Sequence, residues 1–362
     1  MTRHQWTTPI PIGRDAHSHP AARCAVPLVL AAALLVAMPV IAQHLTGQLN
    51  LHDPSSIVEY RGRYFLFYTG RGIGSKTSTD LLHWNEGPRV FAAPPAWTSK
   101  SVPANRGRFW APDVAFFNGK YHLYFSVSSF GSQQSAIGLT TNPTLDRADP
   151  DYAWTDCGPV IESRLGSAYN AIDPSIVQTS SGNVWMSFGS FWNGIYLVPI
   201  DPASGLRLPR SEIYHLAHSR SIEAPYIHEH DGHFYLFVNW GICCRGVDST
   251  YNIRVGRSTS ITGPYLDREG VGMLGGGGTL FLDTEGKLVG PGHVSLISRD
   301  GSDWIGYHYY DRDACGISKY NLRALLWDSD GWPVAGPAIS PPKPGRTGLK
   351  QGNSSIFLPR VG

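Results

Sequence analysis

Five stretches of this chain resemble one another, and that repetition constrains the fold more than any other feature. They read HDPSSIVEYRGRYFLFYTG from His52, APDVAFFNGKYHLYFSV from Ala111, IDPSIVQTSSGNVWMSFGS from Ile172, EAPYIHEHDGHFYLFVNWG from Glu223 and GHVSLISRDGSDWIGYHYY from Gly292. Each couples a short apolar strand to an aromatic-rich second strand through a polar turn, and the turns hold Gly62, Gly119, Gly182, Gly232 and Gly301. With Asp53, Asp113, Asp173, Glu223 and His293 as anchors, the units lie 60, 60, 50 and 70 residues apart. Short alternating strands punctuated by turn residues signal an all-β chain, and a self-similar unit of this length signals a propeller. A single four-stranded blade cannot hide both its faces, whereas blades packed around an axis hide them against one another. The expected fold is an all-β, five-bladed β-propeller with four-stranded blades around a central channel, occupying residues 43–362 as one domain. The run Leu274-Gly275-Gly276-Gly277-Gly278-Thr279 lacks the Lys and Ser/Thr placement of a phosphate loop. It is expected to be a flexible connector into the fifth blade.

Composition narrows the function. The 362 residues carry 30 Lys plus Arg against 28 Asp plus Glu, a net charge of +2 with no basic run, so a nucleic-acid partner is excluded. Charged residues are 16% of the chain, below the roughly 25% of an average domain. With 11 Trp and 17 Tyr, that balance suits a neutral, flat-faced ligand such as a sugar.

The amino terminus reads as an address. Arg3, Arg14 and Arg23 precede the unbroken apolar run AVPLVLAAALLVAMPVIA from Ala25 to Ala42, and Val40-Ile41-Ala42 offers small residues for cleavage before Gln43. Residues 1–42 are therefore expected to be a cleaved secretory signal peptide. The rival is an uncleaved membrane anchor, since the run just reaches spanning length; Pro39 and the Val-x-Ala site favour cleavage. The mature protein is expected to be secreted, extracellular or periplasmic, and monomeric, without stable membrane association. Cys157, Cys243, Cys244 and Cys315 remain after cleavage with no C-x-x-C pair, which excludes a zinc ribbon. Export permits disulfides; Cys243-Cys244 is either an adjacent disulfide or a pair of thiols, in a loop expected near the cleft.

Repetition matters for chemistry, because residues at one place in successive blades converge on the channel. Asp53, Asp173 and Glu223 open the first, third and fourth repeats, and His293 opens the fifth. Two carboxyl groups straddling a glycosidic bond can hydrolyse it. Glu223, with the longer reach and the higher reference pKa, is the natural general acid, and Asp53 the natural general base. A charged Asp173 beside Glu223 disfavours ionisation of the acid, which makes Asp173 a pKa modulator. Asp113 follows its proline where Asp53 precedes its own, and that offset marks it as structural. His52 is either a partner of the base or a packed histidine.

The stretches LHDPSSIV, RFWAPDV, SSFGSQQSAIGLTTNPTLD, NAIDPSIV, FGSFWNGIYL, SIEAPYI, NWGICCRGVDSTYNIRVGRS and GPGHVS resemble family 43 glycoside hydrolases, from about residue 49 to 335. Within that family they resemble the endo-1,5-α-L-arabinanases. The resemblance implies a five-bladed propeller and inversion at the anomeric carbon. It assigns Asp53 as base, Asp173 as modulator and Glu223 as acid; an inverting pair stands roughly 6.5–9.5 Å apart. It also implies that His293 helps to hold a metal, Ca2+, in the axial channel, with waters completing a shell that calcium prefers to build from oxygen. Trp110 and Phe130, in the matching motifs, are expected to face the sugar, and Asn170 and Ser190 to hydrogen-bond its hydroxyls. The implied function is cleavage of internal α-1,5-L-arabinofuranosidic bonds in the polysaccharide arabinan, a pectin side chain. An exo-acting arabinanase, an arabinofuranosidase or a β-xylosidase on the same scaffold is one alternative, and a non-catalytic sugar-binding propeller is another.

Overall fold

The computed structural model describes residues 44–299 and 301–339; the expected signal peptide lies outside the described residues. Five antiparallel sheets follow one another along the chain. The first blade is Val58–Tyr60, Arg63–Tyr68, Gly74–Ser78 and His83–Glu86, with Thr46–Gly47 added in parallel at its outer edge. The second is Arg108–Phe117, Lys120–Val127, Ser135–Asn142 and Thr155–Ser163, with Gly70–Arg71 paired to its first strand. The third is Ser175–Gln178, Val184–Phe188, Ile195–Ile200 and Tyr214–Ala217. The fourth is Glu223–His230, His233–Trp240, Asn252–Ser258 and Thr279–Leu282. The fifth is Leu288–Arg299, Ser302–Asp311, Ile317–Trp327 and Pro333–Ala335. The expected five-bladed propeller is the observed fold. Among the described residues no helix is long and apolar enough to cross a membrane.

Local sequence sets the inner hairpins. In the first, second and fourth blades the turn pairs Arg61-Gly62, Asn118-Gly119 and Asp231-Gly232 have φ between 45° and 75° at both positions. Two successive positive φ values match the twist of two-residue hairpins, and glycine at the second position supplies one of them without a Cβ clash.

Burial then sets the ring. Each of the five apolar clusters lies between two neighbouring blades. Phe67, Phe91, Phe109 and Phe125 join the first to the second; Ile137, Leu139, Met186 and Val198 the second to the third. Leu197, Leu216, Leu236 and Val238 join the third to the fourth; Phe237, Val255, Ile305 and Tyr307 the fourth to the fifth. The seam between the fifth and the first is filled by Trp84, Leu66, Tyr320 and Leu322, with Trp84 edge-on to Tyr320 at 5.7 Å. Backbone bonds reinforce that seam, from Tyr320 N–H to Leu49 O (2.8 Å) and from Ile57 N–H to Leu296 O (3.3 Å). Asp113 acts as a rivet: its carboxylate accepts the N–H of Ser56 in the first blade (2.8 Å) and of Ile176 in the third (2.7 Å). Its structural reading fits this placement.

One backbone feature recurs in every blade. Asp53, Ala111, Asp173, Ala224 and His293 all sit at positive φ, between 40° and 59°. Each but the last precedes a proline. Left-handed backbone at a non-glycine residue is uncommon and costs free energy, so its fivefold recurrence identifies the equivalent positions. This corrects the repeat register: Ala111 and Ala224, not Asp113 and Glu223, are the counterparts of Asp53 and Asp173. Glu223 stands one residue earlier, and the ladder is bulged between Glu223 and Tyr226.

The glycine run is also corrected. It is a loop within the fourth blade, leading to that blade's outer strand, and it is pinned rather than free. Asp267 accepts Gly278 N–H at Oδ2 (2.9 Å) and Val271 N–H at Oδ1 (2.7 Å), and Met273–Gly275 forms a 3-10 turn.

Candidate active site

A cavity of about 970 Å³ is lined by three of the strained residues, Asp53, Asp173 and His293, and by Glu223. Three carboxyl groups from the first, third and fourth blades thus share one cavity, and each is at least nine-tenths buried or close to it.

Asp53 is held from every side. Thr69 Oγ1 donates to its Oδ2 at 2.5 Å, and Thr69 is itself oriented by the N–H of Ala111 (2.8 Å). Nδ1 of His52 lies 2.7 Å from Oδ1, and Nε2 of His52 lies 2.7 Å from the Tyr310 hydroxyl. That hydroxyl accepts the N–H of Cys244 at 2.7 Å. The backbone N–H of Asp53 donates to Nδ1 of His308 (3.1 Å), which requires the His308 proton to reside on Nε2. Burial alone would raise the Asp53 carboxyl, but the charge and hydrogen bond of His52, helped by His293 and His308, hold it well below the ordinary carboxylate range. Such a carboxylate stays ionised.

Glu223 has the opposite environment. Ser190 Oγ donates to Oε2 at 2.7 Å, and the Tyr251 hydroxyl donates to Oε1 in a short hydrogen bond. Burial raises its carboxyl above the usual range; the two hydroxyls offset part of this and the charge of Asp53 adds to it. Asp173 is raised further, by burial first and then by the charges of Glu223 and Asp53, against a single backbone N–H from Ala224 (3.2 Å). Its own N–H is anchored to Ser126 Oγ (2.9 Å). Asp173 and Glu223 therefore form a coupled pair that retains a proton above the pH at which Asp53 is ionised. Pairs of carboxyls whose environments push them apart are the signature of acid and base roles.

The remaining expected residues also line the cavity. Trp110 and Phe130 stand 5.1 Å apart at a 46° tilt, with Phe130 82% exposed at the rim. Asn170 is buried, and its Oδ1 accepts from Ser135 Oγ (2.8 Å). Nδ1 of His293 lies 3.7 Å from Asp53 Oδ1. Cys243 and Cys244 are joined as a disulfide and line the same cavity, where Cys244 Sγ is 3.8 Å from His52 Nε2.

Sequence reasoning missed Thr69, Tyr251, His308 and Tyr310, together with Arg108, Trp192 and Arg245 in the lining. Tyr251 and Arg245 lie inside the stretch NWGICCRGVDSTYNIRVGRS, Arg108 opens RFWAPDV, Trp192 lies in FGSFWNGIYL, and Thr69, His308 and Tyr310 lie at the ends of the first and fifth repeats, but nothing in those stretches marked them individually.

Comparison with known proteins agrees with this geometry. Residues 43–333 match the family described as Glycosyl hydrolases family 43. The chain is 42% identical over 300 residues to an extracellular exo-α-(1→5)-L-arabinofuranosidase, ArbA, of Cellvibrio japonicus, covering 79% of this chain and 86% of that protein. It is 40% identical over 291 residues to extracellular endo-α-(1→5)-L-arabinanase 1 of Bacillus subtilis, covering 78% and 87%. The solved structure of a Cellvibrio cellulosa α-L-arabinanase complexed with arabinohexaose superposes with a TM-score of 0.76 at 40% identity, covering 80% of this chain and 96% of that one. A five-bladed ring with a buried carboxyl triad at its axis, matched over nearly the whole described chain, places this protein in glycoside hydrolase family 43.

Proposed function

We propose that this protein is a secreted, inverting arabinanase that cleaves internal α-1,5-L-arabinofuranosidic bonds of arabinan. The observation that carries the reading is the single cavity in which a low carboxylate, Asp53, faces a proton-retaining pair, Asp173 and Glu223. Glu223 gives its proton to the glycosidic oxygen as the bond to the anomeric carbon breaks. Asp53 takes a proton from the water that attacks the opposite face, so the configuration inverts. Asp173 keeps the proton available to Glu223, while Ser190 and Tyr251 orient the acid. Trp110, Phe130 and Trp192 offer apolar faces to furanose rings, and Asn170 offers a polar contact. The extracellular names of the relatives support export of this chain.

Attack within a polymer is supported by the shape of the surface. A second depression of about 720 Å³ shares Gly131, Ser132 and Trp192 with the catalytic cavity, so the groove runs on past the reacting bond. The rival, release from a chain end, draws on the exo-acting relative. Products from debranched linear arabinan separate the two: mixed oligomers at early times support internal cleavage, and one small product from the outset overturns it. Proton NMR of the first product tests inversion, with a β anomer expected and an α anomer refuting it.

His293 fits a cation held through one imidazole nitrogen and water, since it faces the cavity beside Asp53 and Asp173. It would hold calcium, with water supplying the oxygens that calcium prefers. When bound, that ion supplies positive charge next to the carboxylates.

A further inference from the structure

Far from the cavity, two histidines and a carboxylate converge on a different kind of site. His228 and His230 alternate on the innermost strand of the fourth blade, so both side chains leave the same face. Asp303 stands on the second strand of the fifth blade. Its Oδ2 lies 3.1 Å from Nε2 of His228 and 3.9 Å from Nδ1 of His230. The three ligand atoms lie within 4.8 Å of one another. Strand geometry places His228 and His230 about 16–23 Å from Glu223, toward the other end of the innermost strand.

The surroundings are those of a built metal site. Metal-binding groups are oriented by a further set of hydrogen bonds and carboxylates. Here Oδ1 of Asp303 accepts from Ser298 Oγ at 2.5 Å, which turns Oδ2 toward the imidazoles. Nε2 of His230, the nitrogen facing away from Asp303, lies 3.5 Å from Oδ2 of Asp231. The His230 ring is clamped flat on Trp327, with centroids 3.7 Å apart and planes 4° apart. A shallow depression of about 620 Å³, lined by His228, His230 and Ser298, gives solvent access for a fourth ligand.

We propose that His228, His230 and Asp303 bind a divalent transition-metal ion, zinc by preference, that clasps the fourth blade to the fifth. Two imidazoles, one carboxylate and a water make a tetrahedral zinc shell, and imidazole donors select zinc over calcium or magnesium. The metal spans the fourth and fifth blades and binds the folded ring alone, so it stabilises the folded state.

The test uses the full protein, stripped with a chelator, dialysed against micromolar zinc and analysed for metal. The wild type is expected to retain about one zinc per chain and to show a rise in Tm of a few degrees on zinc addition. H228A/H230A and D303N, each checked by far-UV circular dichroism and by hydrolytic activity, are expected to lose both responses and keep wild-type turnover. Wild type without zinc, or the double variant with undiminished zinc, overturns the site. Zinc bound with an unmoved Tm overturns the clasp.

Discussion

Oδ2 of Asp173 accepts the backbone N–H of Ala224, the residue that follows Glu223, at 3.2 Å. Asp173 thus grips the main chain of the strand that bears Glu223, and the two carboxyls interact through space as well. Glu223 is raised by burial and by neighbouring negative charge, and lowered by hydroxyl donors. The alkaline limb of activity should report this balance. Asp173 is raised further than Glu223 and is therefore neutral when Glu223 titrates, so Asp173→Asn removes no charge and should leave the limb in place. Tyr251→Phe removes a donor that favours the ionised form, so the limb should move up. A limb of kcat/KM against pH that Tyr251→Phe moves up and Asp173→Asn leaves in place is the expected outcome; a downward shift in Tyr251→Phe would contradict the assignment.

Glu223→Gln and Asp53→Asn each remove one end of the proton path. General acid–base catalysis contributes about 10²–10⁴-fold, so each should lower kcat by at least about 10²-fold while arabino-oligosaccharide binding persists by calorimetry. Full turnover in either variant would reassign the role.

Asp113 joins three blades without touching the cavity. Asp113→Ala strands two buried N–H donors, each costing about 1–3 kcal/mol, so urea unfolding should show a loss of about 2–5 kcal/mol. The kcat of the folded variant should stay near wild type. A large kcat loss with unchanged stability would make Asp113 part of the catalytic apparatus.

His122 offers a pH prediction independent of catalysis. It is buried, stacked on Phe117 at 3.7 Å, and burial pushes its pKa down to about 4 from 6.5. The unfolded chain therefore binds a proton that the folded chain refuses between those values. Stability should fall as pH drops from 6.5 toward 4, and His122→Gln should flatten that part of the Tm-against-pH curve. An identical slope in the variant would assign the effect elsewhere.

The five blades were legible because burial of both sheet faces demands repetition, and repetition survives in the residue order. Asp53, Asp173 and His293 were legible for the same reason, since they occupy one place in successive repeats. Glu223 was found as a carboxylate in the right stretch but put one residue out of register, because the left-handed turn at Ala224 has no side-chain signature. His308 and Tyr310 were illegible because each acts across a blade boundary on partners more than 250 residues away, and Thr69, 16 residues from Asp53 in the same repeat, because nothing in the residue order marks that hydroxyl as a donor to the carboxylate. The glycine run misled because its order comes from Asp267, whose carboxylate bonds to backbone that composition cannot reveal.

The seam between the first and last blades runs through the proposed base. Asp53 and His52 enter from the first blade, and His308 and Tyr310 reach them from the fifth. A folding chain therefore carries an unfinished base until its final blade docks on the first. If Asp53 is the base, turnover should begin only once the circle is complete, and the delay between collapse and hydrolysis in a refolding experiment checks this.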